Sequence, residues 1–277
     1  MNLVESRVTI IITYALLGIA AFIALFPIVL MLLNSLKTTP EIALSPLGMP
    51  EVAHWNNYAN AWKGANFTRT FFNSAVLMFM TIALVLTTGS LTAYVLARRK
   101  IKSWKIVTVY LLATTTAPIQ LFLFPLYFGF AKLGLINNIF AVSFVYCAIF
   151  SPFSIMLLRT YFLAVPKELE EAALVDGATP WQVFSKVYLP LVWPGILTVS
   201  LIVGLYTWNE FLIATTFLQG PESRTAVVSY FLLSGQYSRD WGDLMAGAML
   251  VSTPIVVLFI FLQRRFIEGI TGGSIKG

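Results

Sequence analysis

Between Val8 and Ser35 the chain carries no charged residue. A helix needs roughly 20 apolar residues to cross the hydrocarbon core of a bilayer, so this run is long enough to span one. It is too long for the apolar core of a secretory signal, which runs about 7–15 residues, and reads as a retained first span. Five more uncharged runs follow, Phe71–Ala97, Ile106–Ala131, Leu133–Leu158, Val187–Asn209 and Leu244–Gln263. One helix in each predicts an all-α membrane protein with six transmembrane helices, at about 9–35, 71–97, 106–131, 133–158, 187–212 and 244–263, forming a single transmembrane domain over 1–277. Lys132 to Asn138, rich in Gly and Asn, suits the turn of a helical hairpin between the third and fourth. Only 11% of the residues are charged and 58% are hydrophobic. A water-soluble domain carries about 25% charge, so this chain cannot cover a water-facing surface.

Orientation follows from the basic residues. With the N-terminus inside, the inner side holds Arg7, the five Lys and Arg of Arg98–Lys105, Arg159, Lys167, Lys186, Arg264, Arg265 and Lys276, twelve of the 18 in the chain. The positive-inside rule then places both termini, the tail at 264–277 and the segment 166–190 in the cytoplasm. The net charge of +6 is an orienting charge beside apolar runs and does not point to nucleic acid. Two longer outer segments, Lys37–Arg69 and Gln219–Asp243, read either as interfacial loops with aromatic anchors or as docking surfaces for an external partner.

The segment Glu168–Pro190 is the only long stretch that reads as capped, amphipathic and soluble. Pro166 suits a helix start, and Glu168, Glu170 and Glu171 place negative charge near the positive end of the helix dipole. Ala172, Ala173 and Leu174 favour helix. Gly177, after Asp176, is a natural stop because glycine adopts left-handed angles without penalty. Thr179, Pro180 and Gln182 then form a second start, with a capping box. A second helix carrying Trp181, Phe184 and Tyr188 is expected to run on to a bend at Leu189-Pro190. Such a pair of helices could lie on the inner leaflet. Its acids suit a cytosolic partner better, because that leaflet is anionic.

Polar residues inside the runs mark a candidate solute path. They are Thr115 (within Thr114–Thr116), Gln120, Ser154, Tyr206, Asn209 and Glu210. Hydroxyls, amides and aromatic faces suit a neutral polyhydroxylated solute; the Ser and Thr residues serve equally as interhelical hydrogen bonders. A carboxylate in a span is rare. Glu210 either lines the path or pairs with Arg224 or Arg239. There is no GxxxxGK[ST] phosphate loop, no HExxH and no GxSxG. With one cysteine, Cys147, and one histidine, His54, no cysteine-based metal site or histidine cluster exists. The chain is therefore read as non-catalytic, with no cofactor of its own.

Glu171-Ala172-Ala173, Gly177 and Val187-Tyr188-Leu189-Pro190 together resemble the EAA loop of bacterial ABC importer permeases. Asn73-Ser74, Pro125-Leu126-Tyr127, Leu133–Asn137, Trp208-Asn209-Glu210-Phe211 and the tail Arg265–Gly277 extend the resemblance to the sugar-importer branch, in particular its MalG-type permease subunits. The resemblance implies a type I importer permease fold with a cytoplasmic coupling helix. It implies a second permease as heterodimer partner, two copies of an ABC ATPase carrying ATP and Mg, and an extracytoplasmic substrate-binding protein. It assigns Glu171 to salt bridging with the ATPase and Gly177 to the turn, within a coupling set of Glu171, Ala172, Ala173, Asp176, Gly177, Trp181, Leu189 and Pro190. It also assigns Gly272, Gly273 and Lys276 to a tail that reaches the ATPases; disorder is the other reading of that tail. The solute implied is a carbohydrate such as an oligosaccharide, glycoside or polyol, moved across a bacterial inner membrane by alternating access. A glycerol phosphodiester is the alternative solute. A self-sufficient secondary transporter, which needs related halves and several buried ionisable groups, and a scaffold without a pathway are the remaining readings.

Overall fold

The computed structural model describes residues 7–236 and 240–272. Among these residues every regular element is helical. They fall into two compact units, one within Met1–Phe67 and Ser229–Thr253, the other within Thr68–Val228 and Pro254–Gly277.

In the first unit, α1 (Arg7–Asn34) exposes every side chain from Thr9 to Val29. A helix that is apolar all round and unburied is suited to lipid. The segment after it, read from sequence as a loop, folds into α2 (Thr39–Leu44) and α3 (Asn56–Gly64). The start of α2 was encoded: the Thr38 hydroxyl accepts from the Glu41 amide, with a proline in the first turn. The Asn57 amide donates to the Ser35 and Lys37 carbonyls, both at 2.9 Å, and ties α3 to the end of α1. Lys37 is fully buried, its ammonium donating to the Ser45 carbonyl at 2.7 Å. The Ser229 hydroxyl donates to the Ala65 carbonyl, and the Trp241 amide to the Thr39 hydroxyl.

The second unit contains α4 (Phe67–Ala97, from Thr68 onward), α5 (Trp104–Thr114), α6 (Gln120–Lys132) and α7 (Ile139–Ala164). The uncharged run 106–131 is therefore two helices and not one. Pro118 has no N–H to donate. The hydroxyls of Thr114, Thr115 and Thr116 each turn back onto the carbonyl three residues earlier, at 2.7–2.8 Å, competing with the helical ladder at the break. The fourth run is also displaced: its helix starts at Ile139, because Gly134 and Asn137 take left-handed angles (φ 67° and 66°) and the Asn138 side chain caps the Ala141 amide. Arg159 falls inside α7, with its guanidinium over the Trp104 ring.

Beyond α7 come α8 (Lys167–Val175), α9 (Pro180–Gln182), a π-helical segment (Val183–Tyr188), α10 (Leu189–Leu191) and α11 (Trp193–Asn209). The chain bends by 73° between α10 and α11, beside Pro190 and Pro194. The run 187–209 is thus not one straight helix: its long part starts at Trp193, and Glu210 is the residue that ends it. Then come α12 (Leu212–Phe217) and, inside the segment 219–243 read as a loop, α13 (Ala226–Gln236). The last helix, α14 (Trp241–Gly272), runs on past Gln263 through residues read as a tail. Charge ends the bilayer run there but does not end a helix, since Arg, Gln and Glu are good helix formers.

Among the described residues, four helices are long and apolar enough to cross a membrane, within α1, α4, α7 and α14, or five if the bent α9–α11 pair counts as one crossing. A buried cluster including Val85, Tyr94, Leu158, Phe162, Phe184, Tyr188 and Val199 joins α4, α7, the π segment and α11. A second, with Leu77, Tyr146, Ile213 and Phe217, joins α4, α7 and α12.

Candidate docking loop and solute pathway

The loop 166–190 is built by two capping motifs set back to back. Glu168 and Glu170 occupy the first turn of α8. The helix closes with the Gly177 amide donating to the Leu174 carbonyl (3.1 Å) and the Ala178 amide to the Ala173 carbonyl (2.9 Å). This is a Schellman motif, which needs a left-handed residue, and Gly177 supplies it at φ 82°. One residue after Ala178, the capping box is formed: the Thr179 hydroxyl accepts from the Gln182 amide at 3.3 Å, and the Gln182 side chain accepts from the Thr179 amide at 2.8 Å. The two helices are thus fixed across a turn of four residues, Asp176 to Thr179.

Past Gln182 the expected second α-helix widens into the π segment. Phe184 and Tyr188 are buried there against Tyr94 and Phe162, with ring centroids 5.0–6.3 Å apart. Most of the aromatic stripe is therefore core. Trp181 is exposed, as are Glu171, Ala172, Asp176, Gly177 and Pro190; Ala173 and Leu189 are half-buried against the core cluster. Leu169, Leu174 and Val175 add exposed apolar surface around the turn, Val175 at 87%.

The carboxylate the sequence did not single out is the buried one. Glu170 accepts from Arg98 Nε at 2.8 Å, the Tyr188 hydroxyl at 2.9 Å, the Tyr94 hydroxyl at 3.5 Å, and the Lys100 ammonium. Burial pushes its carboxyl up, but hydrogen bonds from Lys100, Arg98 and Tyr188 outweigh this and hold it at about 2. Arg98 also lies over the Tyr188 ring, 5.1 Å from its centroid. A helical face count contained the signal: Glu170 and Ala173 lie three residues apart on one side of α8, and Glu171 lies off that side.

Three of the six pathway residues meet. Thr115, Ser154 and Tyr206 line one cavity of about 760 Å³ among α5, α6, α7 and α11, otherwise walled largely by apolar side chains such as Phe122, Phe144, Ile149 and Phe153. The Ser154 hydroxyl is buried without a hydrogen-bond partner among the described residues. Gln120 is exposed at the start of α6, and the Asn209 amide donates to the Leu205 carbonyl of its own helix; neither lines that cavity.

Glu210 does not line it either. Its carboxylate accepts from the amides of Ile213 (2.9 Å) and Ala214 (3.0 Å) and from the Tyr146 hydroxyl (2.6 Å). It caps α12 and pins it to α7. The pairing expected with Arg224 is not made; Arg224 donates to the Gln219 carbonyl. Arg239 lies outside the described residues. The Asn137 amide meets the Phe217 carbonyl at 2.8 Å, and its side chain accepts from the Gly220 amide at 2.7 Å, so the 133–138 turn and α12 interlock. The Asn73 side chain donates to the Glu222 and Arg224 carbonyls, and the Ser74 hydroxyl accepts from the Ala226 amide. Of the tail positions, Gly272 ends α14, while Gly273 and Lys276 lie outside the described residues.

Several helices apolar and long enough to cross a bilayer, with a capped, exposed loop between two of them, fit a multi-pass membrane component. Residues 85–271 match the model of the family described as binding-protein-dependent transport system inner membrane component, and the chain belongs to that family. It is 33% identical over 267 residues to the diacetylchitobiose uptake system permease protein NgcG of Streptomyces coelicolor, covering 96% of this chain and 88% of that one. It is 32% identical to the arabinooligosaccharides transport system permease protein AraQ of Halalkalibacterium halodurans, covering 93% of each. It is 30% identical to the trehalose transport system permease protein SugB of Mycobacterium tuberculosis, covering 92% of this chain and 93% of that one. Its fold is similar to that of a chain in the crystal structure of a bacterial ABC transporter involved in the import of the acidic polysaccharide alginate. That similarity has a TM-score of 0.78 at 23% identity, over 96% of this chain and 99% of that one.

Proposed function

We propose that the chain is a transmembrane permease subunit of an ATP-driven importer for a carbohydrate in a bacterial inner membrane. It makes six crossings, with α5 and α6 as one broken crossing and α9–α11 as a bent one, and both termini are cytoplasmic. It works beside a second permease and takes solute from an extracytoplasmic binding protein. Two ABC ATPases, which carry the ATP and Mg, drive alternating access by moving the loop 166–190, whose first helix is the coupling helix.

One observation carries the reading. The loop is locked by a Schellman turn and a capping box, yet it presents Val175, Trp181, Leu174 and the acid Glu171 outward. A rigid apolar knob with a charged rim has the composition of a partner-binding surface. For the solute, the support is the named sugars of the relatives together with the cavity that carries Thr115, Ser154 and Tyr206. An aromatic wall with a few hydroxyls suits a sugar ring.

Co-expression with neighbouring genes tests the docking. The wild-type chain should retain an ATPase through purification. Gly177→Pro should lose both the ATPase and uptake, because proline cannot adopt φ 82° and removes the amide that closes the turn. Retained ATPase with normal uptake would contradict the proposal.

A further inference from the structure

Glu170 is the one buried residue of α8. Every other side chain of that helix is exposed or only partly covered, so this helix is held to the bundle chiefly by a carboxylate. Its partners come from two other segments. Tyr94, Arg98 and Lys100 belong to the last turn of α4 and the residues just after it, and Tyr188 belongs to the π segment. Glu170 is thus the point at which α8, the end of α4 and the π segment meet. The Arg98 and Glu170 side chains are 4% and 9% exposed.

A buried ion pair contributes little net stability compared with apolar packing of the same volume. Phe184, Tyr188, Tyr94 and Phe162 already supply apolar packing beside it. What the charges add is direction: a carboxylate with four donors at fixed positions accepts one register of α8 on α4, whereas a Leu in its place would tolerate several.

We infer that Glu170 is a positioning residue that fastens the docking loop to α4, so that movement of the loop is delivered to α4 as well as to α7 and α11. The covalent chain already joins the loop to α7 and α11. Nothing covalent joins it directly to α4, and the Glu170 cluster supplies that third connection. This rests on the reading of the loop as the ATPase dock, and deepens it by naming the span that the dock pulls.

The test uses the whole complex, reconstituted in vesicles with its binding protein and ATP, and reads solute taken up per ATP hydrolysed. Glu170→Gln and Arg98→Gln should each retain the ATPase and lower that ratio about tenfold. The double variant should be no worse than either single one, since both remove the same connection. An unchanged ratio, or losses that multiply in the double variant, would overturn the inference. Loss of the ATPase from Glu170→Gln would also overturn it, because the cluster would then only hold the loop's shape. Failure of the wild-type chain to hold an ATPase is a separate result, and it refutes the docking reading instead.

Discussion

Two carboxylates show how little a residue's type says about its work. Glu210, at the end of an apolar run, reads from sequence as either a pathway residue or a paired one, and in the structure it caps a short helix through two amides and a tyrosine. Loss of a helix cap costs about 0.5–2 kcal/mol. Glu210→Ala should therefore lower the melting temperature of the purified protein, and scanning calorimetry or a thermal-shift assay checks this. Glu170 sits beside Glu171 and looked like its equal, yet one is buried and the other exposed. Removing one partner of a buried pair costs about 3–5 kcal/mol, so Glu170→Ala should be among the most destabilising single changes in the loop. The pH dependence has a definite sign. A carboxyl depressed to about 2 from the ordinary 4.5 contributes its full stability above pH 4.5. That contribution fades as pH falls through about 2. The stability gap between wild type and Glu170→Gln should therefore stay constant from pH 7 to about 5 and narrow below that; chemical denaturation at a series of pH values measures it.

At the level of elements, the loop 166–190 was the most legible part of the chain. Caps are local: Thr179, Pro180, Gln182 and Gly177 act within a few residues of themselves, and the structure forms both motifs at those positions. Gly177→Val should destabilise the turn by about 1–2 kcal/mol through backbone angle alone. Nothing lies within 4 Å of the position its Cβ would take. Gly177→Asn should be milder, since asparagine tolerates left-handed angles, and comparison of the two melting temperatures separates conformational strain from crowding. The break in the third run was less legible. Hydropathy is blind to Thr114, Thr115 and Thr116 folding back on their own carbonyls beside Pro118. The helices inside the two outer segments are too short to show as membrane-spanning apolar runs, although Thr38 with Glu41 obeys the same capping rule as Thr179 with Gln182. The burial of Phe184 and Tyr188 depends on what α4 and α7 bring opposite them, which no local pattern contains.

Across the whole molecule, motifs far apart in sequence meet in space. Asn137, in the turn before α7, holds the segment after α12, and Asn73 holds Glu222 and Arg224. These contacts explain why short polar motifs punctuate the ends of apolar runs: they join elements where chains turn. The candidate pathway residues divide along the same line, for Thr115, Ser154 and Tyr206 share a cavity, while Gln120, Asn209 and Glu210 do not line it. Tyr206→Ala should therefore reduce uptake with the ATPase still bound, whereas Asn209→Ala should affect uptake much less; transport assays on the two variants distinguish them. The central claim is that force enters this chain through the exposed turn of 166–190. A photo-crosslinking amino acid placed at Val175, in cells expressing the whole operon, tests it most directly. Capture of an ATP-hydrolysing subunit at Val175, with none at the equally exposed Phe124 of α6, is the predicted result. Lipid adducts alone at Val175, from a complex that still contains its ATPase, would contradict the account.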